Sequence, residues 1–385
     1  MHLTKNIRQA LQDPALYQFL QWKYPQQPLL MRGGQIYPVA FYPAPKTQQK
    51  NPESILSGLD LHQTSKESLI IQDPSYRNLF KSMGRPLIDL PTYTMSEFHS
   101  NGFLKFQCGL GSYFQMLDTC EALEWELLVT WCNHYGGKRA SDQKDKNFLR
   151  FEAQLPLRQK VHSCVSDPIH SGKGRSVGLA VSTLIAFYDH NKLYLWLQRR
   201  SSQTLSLLEG MFHVFPSFML QPTNPHRIKE EFSITYHFNR EYMEELFNRP
   251  QFSALGDPPF PFYQDPCFLR LQRYQEQKEA LFLLTGVAVN LLNLRPEICT
   301  LLFIKSPEWF EYHFRQAPSQ QRFCCNEEFL EGKNQKEKIF PFGFPIPYTD
   351  PDDDLIKTGN LYPDKMVPSG AAAFWLGIDT LRSIT

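Results

Sequence analysis

Arg240-Glu241-Tyr242-Met243-Glu244-Glu245-Leu246 is the stretch whose reading decides the fold. As a helix, it puts Glu241, Glu244 and Glu245, at i, i+3 and i+4, on one face. Three carboxylates held so close repel one another. A divalent cation turns that repulsion into attraction, and hard oxygen ligands projected from one rigid turn suit Mg²⁺ or Mn²⁺. Arg240, four residues before Glu244, is spaced to pair with it and fix its rotamer while the other two carboxylates face the metal. The bland alternative is a solvated helix face, where charges cluster without binding anything.

The sequence upstream supplies a sheet for this helix. Val177 to Tyr188 is apolar and β-branched, as a buried strand requires, and His190-Asn191 predicts a turn into Leu193-Tyr194-Leu195-Trp196-Leu197. That hairpin ends in Gln198-Arg199-Arg200-Ser201. Gly210 to Pro216 then predicts a third short strand, stopped by the proline.

This order resembles the Nudix hydrolases: two strands, a basic strand end, a third strand, a loop and a helix reading Arg-Glu-apolar-x-Glu-Glu. Tyr242 fills the apolar slot, and no Gly follows Leu246 at the usual distance. Where the family carries Pro-Gly-Gly-x-x-Glu-Pro-Gly-Glu, this chain reads Pro216-Ser217-Phe218-Met219-Leu220-Gln221-Pro222-Thr223-Asn224. Ser and Phe resist the backbone geometry that glycine permits, so a different loop path is expected. Glu230 or Glu231 is a candidate to refill the missing ligand position.

The resemblance implies a Nudix-like α/β/α sandwich with a mixed sheet over residues 170–385, preceded by a smaller mixed α+β region over residues 1–165. It further implies metal-dependent cleavage of a nucleoside diphosphate derivative by activated water. Glu241, Glu244 and Glu245 are then metal ligands and catalytic groups, Arg240 is structural, and Arg199 and Arg200 are substrate phosphate clamps. The altered loop keeps a second reading open, in which the domain has lost turnover and serves as a nucleotide-binding sensor or regulatory module.

Composition bounds the rest. The chain has 385 residues, 42% hydrophobic and 21% charged, which is ordinary for a globular protein of two-domain length. A formal net charge of +1 gives no global field toward nucleic acid or an anionic membrane. Eight cysteines without a C-x-x-C pair indicate no zinc site. The start MHLTKNIRQALQDP lacks a long apolar run, so no signal peptide, a cytoplasmic location and reduced thiols are expected. The expected partner is a nucleotide-type small molecule; self-association into a homo-oligomer is left open.

Elsewhere, His170-Ser171-Gly172-Lys173-Gly174-Arg175-Ser176 reads as a linker, with phosphate contact by Lys173 and Arg175 as its functional alternative. Ala140 to Asn147 reads as a surface loop, Asp257 to Phe262 as a proline-rich loop, and Asp350 to Asp354 as a solvated loop rather than a calcium site. Asp13-Pro14 is expected to split the helical pattern from Ile7 to Trp22. Thr119 is expected to cap a helix carrying Glu121 and Glu124, which read as an exposed face more readily than as a site. This segment resembles a module found upstream of degenerate Nudix domains in bacterial proteins. Segments 279–289 and 297–304 predict further strands, and Ser369 is expected to cap a closing apolar helix.

Overall fold

The computed structural model describes residues 7, 10–63, 68–82, 87–135, 147–200, 210–250, 261–324, 344–348, 352, 353, 359 and 361–385. Its first part holds helix α1 (Pro14–Lys23), strands β1 (Leu29–Arg32), β2 (Gln35–Pro43) and β3 (Leu56–Gln63), and helix α2 (Ser75–Ser82). Strands β4 (Pro91–His99) and β5 (Lys105–Ser112) follow, then helices α3 (Ala122–Tyr135) and α4 (Pro156–Cys164). Next come strands β6 (Val177–Gly178), β7 (Ala180–Asp189), β8 (Lys192–Arg199), β9 (Phe212–His213) and β10 (Ser217–Met219). Helices α5 (Ile234–Phe247) and α6 (Pro266–Glu276), strands β11 (Ala280–Asn290) and β12 (Arg295–Ile304), helix α7 (Pro307–Glu311), strand β13 (Phe344–Pro347) and helix α8 (Pro368–Ile384) complete it.

Two mixed sheets result. The larger runs β1-β2-β11-β12-β7-β8-β13, with β10 on β7 and β9 on β8; the smaller runs β3-β5-β4-β6. Within the larger sheet β12 and β7 are parallel, pairing Glu297 with Ala180 through to Ile304 with Phe187, while the other pairings are antiparallel. Successive side chains of β7 point to opposite faces. Val181, Ile185 and Phe187 pack with Phe238 and Tyr242 of α5 and Trp309 of α7. Leu184 and Ala186 pack instead with Ala371, Phe374 and Trp375 of α8. Helices therefore cover both faces of the large sheet, which is why its central strands are apolar on both sides.

The hairpin forms as expected. Asp189 pairs with Lys192 across His190-Asn191, and His190 takes a positive φ of 54°. The long apolar run, however, is divided at Leu179 between the small sheet (β6) and the large one (β7). Arg240 to Leu246 lies in α5, which the Ser233 side chain caps by accepting from the Tyr236 amide at 3.1 Å, and which Asn248 ends in the left-handed region.

Several local expectations are corrected. The glycine-less stretch after Pro216 becomes strand β10, whose neighbour Leu220 exchanges backbone bonds with Leu179 and Tyr93, tying both sheets together. Ser369 caps nothing: α8 starts at Pro368 with Val367 as N-cap and no side-chain cap bond. Thr119 is not a cap either, because the chain is already helical from Tyr113, where Ser112 and Gln115 form a capping box. Asp13 does cap α1, accepting from the Ala15 amide at 3.0 Å.

The expected boundary near residues 165–170 is crossed in both directions. β1 and β2 from the N-terminal part join the large sheet beside β11, and β6 from the later part joins the small one. Gly286 allows that junction: a Cβ there would lie 2.4 Å from the Tyr42 carbonyl oxygen of β2. Residues 140–146, 257–260, 350, 351 and 354 of the expected loops lie outside the described residues.

Candidate functional site

The turn between β11 and β12, Asn290-Leu291-Leu292-Asn293-Leu294-Arg295, builds one wall of the site. The Asn290 side chain accepts from the Leu292 amide at 3.0 Å, and the Asn293 side chain accepts from the Arg295 amide at 3.1 Å. Buried guanidiniums hold its outward carbonyls: Arg158 donates to Leu291 at 3.1 Å and to Leu292, and Arg175 donates to Leu294 at 3.1 Å. Arg175 also bonds the carbonyls of Pro168 and Ser171, so the phosphate reading of that side chain is replaced by a structural one. Lys173 stays exposed.

The opposite wall is helical. Between the turn Tyr113–Met116 and α3, Leu117–Glu121 forms a π-turn. Such an insertion rotates the following residues relative to a plain α-helix. The Thr119 hydroxyl donates to the Gln115 carbonyl at 2.8 Å and accepts from the Ser176 amide at 3.0 Å, fastening the π-turn to the entry of β6. Glu121 and Glu124 are thereby turned inward, a correction to the exposed face that the sequence suggested. Asn293 Nδ2 reaches Glu124 at 3.2 Å and Glu121 at 3.3 Å, and Arg295 pairs with Glu121 at 2.9 Å.

These walls enclose a polar cavity of about 190 Å³. Besides Glu121, Glu124, Asn293 and Arg295, it is lined by Glu297 of β12, Arg200 just after β8, His213 of β9 and Ser217 of β10. Glu124 is only 4% exposed. Burial, and then the neighbouring Glu121, push its carboxyl up to about 8, so at neutral pH it holds a proton and can donate. Burial also raises Glu297, which accepts from the Ser182 hydroxyl. Burial, with Arg200 adding to it, lowers His213 to about 3; the neutral ring lies 2.7 Å from the Val214 carbonyl through Nδ1, which leaves Nε2 as an acceptor 3.4 Å from the Ser217 hydroxyl. Gly370 lets α8 come this close, since a Cβ there would sit 2.9 Å from His213 Nδ1.

The carboxylates of the decisive helix lie next door. Arg240 is 5% exposed and pairs with Glu241 at 2.6 Å and with Glu244 at 3.6 Å. The tighter partner is thus Glu241, not the Glu244 that helical spacing suggested. Burial would lower the Arg240 guanidinium, but the two carboxylates outweigh it and raise it. Glu245, 3% exposed, accepts from the Ser217 amide at 3.1 Å. Ser217 and Ser182 hydroxyls lie 3.0 Å apart and Ser182 donates to Glu297, so Ser217 touches Glu245 through its amide and Glu297 indirectly through its hydroxyl and Ser182.

Of the two expected phosphate clamps, Arg200 lines the cavity, whereas Arg199 donates to the Gly210 carbonyl at 3.2 Å and lies over the Phe212 ring. Glu231 is buried and takes the Thr223 amide and hydroxyl, and Glu230 pairs with Arg227 at the surface. Among the described residues, no group of three or more His, Cys, Asp or Glu side chains is disposed to hold a metal ion. Glu241 and Glu244 face a guanidinium and Glu245 an amide, so this donor set, as arranged, does not fit Mg²⁺ or Mn²⁺. Among the described residues, no helix is long and apolar enough to cross a membrane. Neither a protein-family model nor a curated protein matches the chain.

Proposed function

We propose that this α/β protein is a Nudix-like module that binds a nucleotide-type ligand in the cavity between the π-turn and the β11–β12 turn. The observation that carries the reading is Arg200 Nε, a buried guanidinium nitrogen with no hydrogen-bond partner among the described residues. An unpaired buried charged donor is costly, and an incoming anionic oxygen would satisfy it. Protonated Glu124 offers a donor at the opposite wall, and neutral His213 Nε2 offers an acceptor. An anionic group at Arg200 and a hydrogen-bonding polar group near Glu124 describe the two ends of the ligand. Drug-sized molecules occupy pockets of roughly 300–1,000 Å³. At about 190 Å³ the cavity takes one fragment, a phosphate or a base, and the remainder lies outside it.

Phosphoanhydride hydrolysis is the second reading, favoured by the contact between Glu245 and the cavity-lining Ser217. Thermal shift and calorimetry with dinucleotides, nucleotide sugars and nucleoside diphosphates test the first reading. Product release by wild type that disappears in Glu245→Gln would support the second. Binding to wild type and Glu245→Gln alike, without turnover, supports the first.

A further inference from the structure

A second constellation lies on the small sheet, in different residues from the cavity just described. Ser100 directly follows β4, and Asp167 and His170 sit in the loop leading to β6. Asp167 Oδ2 is 2.9 Å from His170 Nδ1, and His170 Nε2 is 3.1 Å from the Ser100 hydroxyl. We propose that Ser100, His170 and Asp167 form an acyl-transfer site that hydrolyses small carboxylic esters.

The geometry gives each atom one role. Asp167 accepts from Nδ1–H and so fixes the tautomer in which Nε2 is the base toward Ser100. Asp167 is itself anchored, Oδ1 accepting from the amides of Ile169 at 3.1 Å and His170 at 3.2 Å. The imidazole is held in plane by Phe98, stacked at 5.3 Å and 5°, and by the edge of Tyr42 at 5.5 Å. The Phe98 amide also donates to the His170 carbonyl at 2.8 Å, joining the loop to the strand that delivers Ser100. A hydrogen-bonded base oriented by a third group is what activates a serine, whose hydroxyl is otherwise a weak nucleophile.

Open space adjoins the histidine and aspartate, and two backbone N–H groups follow the serine. His170 and Asp167 line a solvent-open recess of about 370 Å³ that also includes Phe98, Val165 and His99, the residue before Ser100. Ser100 begins a turn in which Gly102 takes a φ of 74°. The amides of Asn101 and Gly102, next along the chain, have no hydrogen-bond partner among the described residues. Those are the backbone donors nearest in sequence to the attacking oxygen, the kind of group that stabilises a tetrahedral oxyanion.

In the reaction, Ser100 Oγ bonds to the acyl carbon while its proton passes to His170 Nε2. That proton then goes to the departing alkoxide as the ester bond breaks. Water repeats the sequence, its hydroxyl adding to the acyl carbon and its proton returning through His170 to Ser100 Oγ. Ester and water become acid and alcohol.

The test is covalent labelling of the full chain with a fluorophosphonate, read by peptide mass spectrometry, alongside hydrolysis of 4-nitrophenyl acetate. Labelling at Ser100 is expected, with turnover lower by about 10²-fold or more in Ser100→Ala and His170→Ala. Asp167→Asn, which keeps an acceptor for the loop amides, is expected to lower kcat with KM unchanged. Absence of label on Ser100 in folded wild type, or ester turnover equal in Ser100→Ala, would overturn the proposal.

Discussion

Glu245 Oε1 accepts the Ser217 backbone amide at 3.1 Å, which places a carboxylate of the decisive helix directly behind the wall of the polar cavity. Hydrogen bonds to charged groups contribute about 2 kcal/mol when buried. Glu245→Ala is therefore expected to lower the unfolding free energy in urea by about that amount. Glu245→Gln, which retains an acceptor oxygen, should lose less. Equal losses in the two variants would show that the acceptor is not what matters.

Arg295 pairs with Glu121 at 2.9 Å and lies 3.8 Å from Glu297, so it neutralises two carboxylates inside the cavity. Burial alone would lower its guanidinium, but Glu121 and Glu297 raise it. Removing one partner of a buried ionic cluster leaves uncompensated charge and costs about 3–5 kcal/mol. Arg295→Met should destabilise the protein on that scale, and adding Glu121→Gln should recover part of it. A double mutant with the summed loss of the two single mutants would contradict this coupling.

The hairpin and the decisive helix are legible in the sequence because their signals are local: β-branched runs around His190-Asn191, and carboxylates at i, i+3 and i+4 within one heptapeptide. The cavity is not legible in the same way. Glu121 and Glu124 sit at spacings that suit an exposed helix, and their partners Asn293 and Arg295 come about 170 residues later. No local pattern encodes such a pairing. The same holds for β1 and β2, whose short apolar alternation does not say which sheet they extend. Arg175, directly after Gly174 in a glycine-containing basic stretch, looks like a phosphate contact until three distant or turned carbonyls are seen to occupy it.

Stability should depend on pH through Glu124. Its folded carboxyl is raised from 4.5 to about 8, chiefly by burial. The stabilisation is thus complete below 4.5 and is lost as pH rises toward 8, because the folded state keeps a proton the unfolded chain releases. One proton corresponds to about 1.4 kcal/mol per pH unit. Glu124→Gln should remove this contribution to the slope between pH 5 and 8 in chemical denaturation at about 25 °C. His213, lowered from 6.5 to about 3, acts oppositely, and its contribution is lost as pH falls below 6.5. Identical pH slopes in wild type and Glu124→Gln would exclude a proton held at that carboxyl.

Arg200 carries a different signature from Arg295. Because its Nε has no partner among the described residues, Arg200→Gln should leave the melting temperature of the unliganded protein unchanged or raised. A drop of the size expected for Arg295→Met would instead mark Arg200 as structural.

Isothermal titration of wild type and Arg200→Ala with a panel of nucleoside diphosphate derivatives, with and without Mg²⁺, tests the central claim most directly. Saturable binding of at least one panel member to wild type under both conditions is expected, weakened about tenfold or more in Arg200→Ala, as the loss of one charge-assisted hydrogen bond implies. No binding by any member, or equal affinity in the two proteins, would contradict the assignment of this cavity.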